Sequence, residues 1–147
     1  MVGILLISHG EMAQGIKSAL QLISGDVDSI EISSLHAGQD FEDLKADVNK
    51  KIKKINQGQG VLVYVDLFGA SPYNAAMFAH EVLKNEEVAI RVITGMNLPM
   101  ILESTLMRES MSLDELAKLA IKTGKESIVE GIEFMTNLDQ EEEEEDY

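Results

Sequence analysis

Two side chains in this sequence that could take part in nucleophilic or acid–base chemistry occupy comparable positions, each at the end of a short apolar run. His9 follows the apolar residues 2–7 after one serine, and Asp66 directly follows the apolar residues 61–65. Runs of this length are typical of buried strands, and Gly10 is typical of the turn that ends one. If the strands are neighbours, the carboxylate accepts a hydrogen bond from one imidazole nitrogen and leaves the other facing outward. The pair therefore predicts a nucleophilic histidine oriented by an aspartate.

The dipeptide Ser71-Pro72 adds a helix N-terminus to the same region. Serine is favoured at the N-cap and proline at the first helical position, so we expect a helix to begin with Ser71 as its cap. A helix N-terminus binds anions, and the serine hydroxyl is a further donor to a phosphate oxygen. His9, Asp66 and Ser71 are therefore the expected catalytic residues of a phosphohistidine site. The residues expected to contact the phosphate are Gly10, Ser71 and Tyr73.

Each of these features has a commoner structural explanation when it occurs alone. A histidine after a strand is usually solvated, an aspartate there is usually a turn residue, and Ser-Pro usually only starts a helix. Their joint placement is what favours a functional site. His36 is expected in a loop at the rim of the crevice, and His80 on a helix as a surface or packing residue. The histidines and acids lack the spacing of metal ligands, so no metal or other cofactor is expected.

Several apolar side chains are predicted in the loops that surround the crevice. Core packing is the usual role of methionine and phenylalanine, but a flexible apolar rim also suits the docking of a partner protein. The residues expected to form this rim are Phe68, Met96, Leu98 and Met100.

Strand-like and helix-like patterns alternate along the chain, which is typical of a parallel sheet covered on both faces. Strands are predicted over 2–7, 29–33, 61–65 and 88–94, and helices over 13–23, 40–55, 71–83, 98–108 and 113–122. We expect a three-layer, doubly wound α/β fold with four parallel strands in the order 2-1-3-4. In that order the loops after the first and third strands part, and a crevice opens between His9 and Asp66.

The composition limits the possible partners and surroundings. The 147 residues carry a net charge of −14, of which seven acids lie in residues 139–146, so nucleic acid and anionic lipid are unfavourable partners. The chain has no cysteine and no apolar run long enough to span a bilayer, so a cytoplasmic protein is expected. Residues 1–135 are expected to form one domain, followed by a solvated, disordered acidic tail over 136–147.

In these residues the chain resembles the IIA component of the mannose family of the bacterial phosphoenolpyruvate-dependent sugar phosphotransferase system. The resemblance runs from residue 2 to about residue 131. Three stretches carry it: SHG at 8–10, VDLFGASPYNAA at 65–76 and GMNLPM at 95–100. The first stretch alone is weak evidence for the family, whereas the second and third stretches, in this order and spacing, are specific to it.

The resemblance implies a phosphoryl carrier. His9 would accept the phosphoryl group from the phosphohistidine carrier protein HPr and donate it to a histidine of the IIB component, which phosphorylates sugar entering through the membrane subunits IIC and IID. Asp66 would hold the ring and Ser71 would lie at the phosphate. The resemblance also implies a homodimer in which a C-terminal strand pairs with the partner's sheet, with residues 128–135 as the candidate segment. Any association with the membrane would be through the transporter complex.

Two departures from the family pattern matter. The family often has two glycines before the serine, whereas this chain has Gly69 and then Ala70, which would be strained if the second position required a positive φ. Some members continue into a fused IIB domain. Because this chain ends in acids, its IIB partner is expected to be a separate polypeptide.

Other protein classes also place a histidine and a glycine after a first strand. A phosphoglycerate-mutase-like phosphatase needs an arginine before the histidine, where this chain has Ser8, and a receiver domain needs paired acids there. A metal chelatase of the sirohydrochlorin type needs a second, facing histidine, which His80 would have to supply. The chelatase is the alternative that remains, together with a non-catalytic binding module if His9 is unreactive.

Overall fold

The computed structural model describes residues 1–146 and contains alternating strands and helices in one chain. The strands are β1 (Gly3–His9), β2 (Ile30–Leu35), β3 (Val61–Val65) and β4 (Ile90–Ile93). The helices are α1 (Met12–Ser24), α2 (Phe41–Ile55), α3 (Ser71–Leu83), α4 (Leu98–Met107), α5 (Leu113–Glu126) and α6 (Gly131–Glu145), with a short 3₁₀ turn at Lys84–Glu86.

All pairings in the sheet are parallel, and the strand order is β2-β1-β3-β4. This order confirms the prediction from the alternating pattern. Ile7 is opposite Val65, the last residue of β3, and β1 continues two residues further to His9. His9 and Asp66 follow these two positions, which places both at the carboxyl edge of the sheet.

Two apolar cores cover the faces of the sheet and complete the three layers. On one face, α1, α4 and α5 pack over side chains such as Leu62 and Tyr64. On the other face, α2 and α3 pack over Val61, Val63 and Val65. Because α1 and α3 lie on opposite faces, the loops that follow β1 and β3 diverge, which is the condition for a crevice at the switch point.

Asn97 joins the loop after β4 to the end of α5. Its Oδ1 accepts the Met100 amide at 3.1 Å and caps α4, while its Nδ2 donates to the Gly124 carbonyl at 3.1 Å. A Cβ atom added at Gly124 would lie 2.3 Å from Cε and 3.3 Å from Cβ of Met100, so the buried Met100 side chain would have to shift to admit any other residue. The loop after β4 is therefore held by a contact between residues far apart in sequence.

The C-terminal segment differs from the expectation. Residues 128–135 are not a strand: α6 begins at Gly131 and continues to Glu145, and the Glu130 carboxylate accepts the amides of Ile132 and Glu133 at its N-terminus. Glutamate and glutamine are good helix formers, which favours a helix over this acidic segment. The helix is exposed throughout and crosses residue 135, into the tail expected to be disordered. The division of the chain at residue 135 stays a prediction, as does strand exchange.

Candidate functional site

The side chain of Asp66 holds His9 at two points. Its Oδ2 accepts the backbone N–H of His9 at 2.8 Å and lies 2.7 Å from the ring Nδ1. Because a carboxylate only accepts here, Nδ1 carries the proton and Nε2 keeps the lone pair. The Asp66 side chain is 11% exposed and the His9 side chain 49% exposed, so the carboxylate is recessed beneath an accessible ring.

The charge of the Asp66 carboxylate is maintained by the histidine. Partial burial alone would raise the pKa of this carboxyl, but the hydrogen bonds from the His9 amide and ring and the positive charge of a protonated ring outweigh it. The pKa of Asp66 consequently lies below its ordinary value of 3.8, and the group is ionised at neutral pH. An anion in this position stabilises the positive charge that the ring gains when Nε2 attacks an electrophile.

The main chain around His9 is fixed by its neighbours. Ser8 is fully buried, and its hydroxyl accepts the amide of Ala13 at 2.8 Å, which ties the end of β1 to the first turn of α1. Gly10 has a φ of +55° and donates to the Leu35 carbonyl at 2.8 Å, a turn that favours glycine. This role of Ser8 was not predicted, although its place directly before the histidine is a signal that could have suggested it.

The start of α3 differs in detail from the prediction. Ala70, not Ser71, is the N-cap, with φ of −86°, and Ser71 is the first helical residue. The strain considered for Ala70 therefore does not arise, because the positive φ falls on Gly69. Within residues 1–146, the Ser71 hydroxyl makes no hydrogen bond and the helix has no side-chain cap. Ser71 is thus available to a ligand, and its amide and that of Tyr73 belong to the first turn, where amides lack intrahelical partners.

The side chain of Tyr73 takes part in packing. Its ring lies 5.0 Å from that of Phe68, centroid to centroid, and packs against the core between α2, α3 and the sheet. Any contact of Tyr73 with a phosphate is therefore better supplied by its amide than by its phenol. The expected roles of Gly10, Ser71 and Tyr73 toward a phosphate stay predictions.

The predicted apolar rim is wrong for its methionines. Phe68 is 72% exposed, but Met96 and Met100 are only 4% and 6% exposed, and Leu98 packs partly against the same core. The loop after β4 turns inward because the Met96 amide donates to the Val65 carbonyl at 3.2 Å and Asn97 caps α4. The exposed apolar side chains close in sequence to His9 and Asp66 are instead Met12, Leu67 and Phe68. The sequence did not single out Met12 and Leu67, because the exposure of an apolar side chain in or near a loop depends on which residues pack against it.

The other two histidines lie outside the pair. His36 is exposed in the loop after β2, where its amide donates to Gln39 at 3.0 Å. His80 lies on α3 and lines a groove of about 610 Å³ beside β4, together with Phe68 and Arg91.

Within residues 1–146, the histidines and acids form no cluster of three that could hold a metal ion. Nor does this part of the chain contain a helix with both the length and the apolar character to cross a membrane.

The fold and this pair of residues define a class: a doubly wound α/β protein that presents a carboxylate-held histidine where β1 and β3 end. A family model described as the PTS system fructose IIA component, EIIA-man, matches residues 3–121. The chain belongs to this family of the sugar phosphotransferase system. The chelatase alternative has no support, because neither the relatives nor a metal-ligand cluster in the described residues points to it.

Individual relatives agree with the family. The chain is 31% identical over 135 residues to the sorbose-specific EIIA component of Lacticaseibacillus casei, covering 90% of this chain and 93% of that protein. It is also 31% identical over 128 residues to the mannose-specific EIIAB component of Escherichia coli K12, covering 86% of this chain but only 38% of the longer protein. The EIIA structure from Streptococcus agalactiae superposes with a TM-score of 0.80 at 27% identity, covering 88% of this chain and 97% of that one.

Proposed function

We propose that the protein carries a phosphoryl group on Nε2 of His9 in phosphoenolpyruvate-dependent sugar uptake. It accepts the group from phosphorylated HPr and donates it to a histidine of the IIB component, and it reaches the membrane subunits IIC and IID only through IIB. The observation that carries this proposal is the bond between Asp66 Oδ2 and Nδ1, 2.7 Å long, which leaves Nε2 as the accessible nucleophile.

The transfer step needs only groups that the pair supplies. The Nε2 lone pair attacks phosphorus, a new N–P bond forms, and the N–P bond to the donor histidine breaks with its electron pair returning to the donor ring. The His9 ring then holds phosphorus at Nε2 and a proton at Nδ1, and its positive charge faces the Asp66 carboxylate. Transfer to IIB reverses these changes and restores the lone pair, so no proton or water is consumed.

The first turn of α3 supplies donors for the transferred group. The Ser71 hydroxyl and the amides of Ser71 and Tyr73 are unpaired in the helix, and the N-terminal end of the helix dipole favours an anion. Gly10 allows the phosphate to approach the main chain without a side chain in the way. These donors stabilise the charge on the phosphoryl oxygens during transfer.

Labelling with radioactive phosphate tests the proposal directly. Incubation with phosphoenolpyruvate, enzyme I and HPr should give an acid-labile, base-stable phosphoprotein, and His9→Ala should abolish the label. The surface histidine variant His36→Ala is the matched control and should be labelled like the wild type. A label that persists in His9→Ala would refute the assignment.

We also propose a homodimer formed at the β4 edge of the sheet. The β4 strand borders the groove of about 610 Å³, which residues 90–94 help to line. Exposed edge strands are ready to pair. The exposed apolar segment 128–135 of a second copy has the character to fill the groove, with the first turn of α6 becoming extended.

Light scattering tests this assembly. Val129→Asp and Ile132→Asp place a charge within the proposed interface and should shift the protein from dimer to monomer. Leu138→Asp, further along α6 and outside the segment, should not. A monomeric wild type, or variants that all remain dimeric, would contradict the proposed interface.

A further inference from the structure

Ser8 is a buried polar residue directly before the reactive histidine. Its side chain is fully buried, as is that of Ser104, and Thr105 is nearly so. The hydroxyls of Ser104 and Thr105 donate to carbonyls one turn back in their own helix. The Ser8 hydroxyl instead accepts the amide of Ala13, at 2.8 Å, from a different element. The bond therefore joins β1 to α1 rather than serving one element alone.

This bond supplies the N-terminal cap of α1 from within β1. Among the described residues, the N-cap residue Glu11 makes no side-chain bond to a helical amide. An N-cap side chain normally accepts an amide of the first turn, and here the Ser8 hydroxyl accepts that of Ala13, the second residue of α1. Ser8 and Ala13 lie on either side of His9 in the sequence. Their bond consequently closes a turn over residues 9–12, and the histidine is the first residue of that turn.

The two residues after Ser8 are held from other directions. The His9 amide donates to Asp66 Oδ2 at 2.8 Å, and the Gly10 amide donates to the Leu35 carbonyl at 2.8 Å. Three consecutive residues are thus tied to α1, to the residue after β3 and to β2. The imidazole leaves the main chain at the middle of these three bonds, so its position depends on all of them.

The position of the ring matters most when the phosphoryl donor is a protein. The donor nitrogen, phosphorus and Nε2 of His9 must come into line, and a docked protein does not shift to follow a displaced nucleophile. A misplacement of about 1 Å costs up to about 100-fold in rate. A small donor orients itself freely at an exposed nitrogen, and the His9 side chain is 49% exposed. The position of the ring and its reactivity can therefore be measured separately.

We propose that Ser8 is a positioning residue for phosphoryl transfer, whose hydroxyl holds the turn over residues 9–12 so that Nε2 lies where a docked protein presents phosphorus. The inference rests on the function proposed above. Because Ser8 is fully buried, it contacts neither the donor nor the phosphoryl group and acts through His9. Asp66, by contrast, sets the reactivity of the ring through its bond to Nδ1.

Rapid-quench measurement of transfer from phosphorylated HPr tests the role of the hydroxyl. Ser8→Ala removes the acceptor, and Ser8→Cys replaces it with a weak acceptor. Both substitutions should lower the saturating rate about tenfold through misplacement of the ring, with the HPr concentration at half-maximal rate unchanged. Ser8→Thr keeps the hydroxyl on a residue that strands favour and should retain most of the wild-type rate.

Phosphoramidate, a small donor, separates position from reactivity. It should label Ser8→Ala and Ser8→Cys as fast as the wild type, whereas Asp66→Asn should be slow with both donors. Ser112→Ala is the structural control, because it removes a comparable cap at the start of α5 and should react normally with both donors.

The outcomes distinguish this role from the proposed function. Failure of the wild type to take label from any donor would refute the function. Wild-type labelling with an unchanged saturating rate in Ser8→Ala and Ser8→Cys would overturn the positioning role alone. A Ser8→Thr variant as slow as Ser8→Ala would also overturn it. So would slow phosphoramidate labelling of Ser8→Ala and Ser8→Cys, since the defect would then lie in the ring's reactivity or in folding.

Discussion

Asp66 Oδ2 accepts two hydrogen bonds from the same residue, the backbone N–H of His9 at 2.8 Å and its ring Nδ1 at 2.7 Å. One carboxylate oxygen thereby fixes both the main chain that bears the histidine and the rotation of its ring. The bond connects residues 57 positions apart and crosses between neighbouring strands. The direction of Nε2 is consequently set by the relative position of two neighbouring strands.

Asp66→Asn should slow transfer without unfolding the protein. The amide oxygen can still accept from Nδ1, but it does not stabilise the positive ring. The loss of a charge-assisted bond costs about 1.5–3 kcal/mol, so the saturating rate of transfer from phosphorylated HPr should fall about tenfold to one-hundredfold. Rapid-quench measurement of the labelled protein checks this, with circular dichroism as the control for folding. An unchanged rate would mean that the carboxylate only positions the ring.

The same pair predicts a dependence of stability on acid pH. The pKa of Asp66 is lower in the folded protein than its ordinary value of 3.8, so its contribution is complete above that value and is lost as the pH falls through the folded pKa. The difference in free energy of unfolding between wild type and Asp66→Asn should have its full value at about pH 5. It should then shrink as the pH falls below 3.8. Urea titrations at a series of pH values measure it, and a gap that widens on acidification would contradict the sign.

Ser71→Ala should separate catalysis from stability. Because Ala70 is the N-cap, the Ser71 hydroxyl supports no helical amide, and its removal should change the free energy of unfolding by less than about 0.5 kcal/mol. The saturating transfer rate should nevertheless fall about tenfold through the loss of a phosphate donor.

Ser112→Ala is the matched control for that variant. The Ser112 hydroxyl does cap a helix, accepting the Glu115 amide at 3.3 Å within a capping box. Its removal should cost about 1 kcal/mol of stability and leave transfer unchanged. The opposite pattern, with Ser71→Ala destabilising and transfer intact, would show that the serine is structural.

Gly124→Ala should destabilise the protein through the contact between α4 and α5. The new methyl group would lie 2.3 Å from Cε of Met100, and relief of such overpacking typically costs about 1–3 kcal/mol. Gly15→Ala, which meets no neighbour within 4 Å, should instead stabilise the helix by up to about 1 kcal/mol. Thermal unfolding distinguishes the two glycines, and equal effects of the two substitutions would contradict the packing described for Asn97 and Gly124.

Much of the fold follows from patterns that act over a few residues. The alternating apolar runs specify strands buried on both faces, and the apolar stripe of α2, such as Leu44 and Val48, specifies which side of a helix packs. Right-handed crossovers then leave few strand orders, so the neighbouring ends of β1 and β3 could be predicted, and with them the contact between His9 and Asp66. This part of the structure can be predicted from the sequence because the hydrophobic effect buries apolar residues, whose spacing is a local pattern.

Only the tertiary structure decided what the loops and the free surfaces do. The inward turn of Met96 and Met100 depends on the bond from Asn97 to Gly124, 27 residues away, which no local pattern encodes. Residues 131–145 form an exposed helix, although a strand was expected over 128–135, and the exposure of Leu22 depends on which helix neighbours α1. The sequence alone determined which side chains are apolar and favour burial, and which stretches of the chain carry the reactive residues. Long-range contacts decided which of them find a partner within the chain and which remain exposed for another protein.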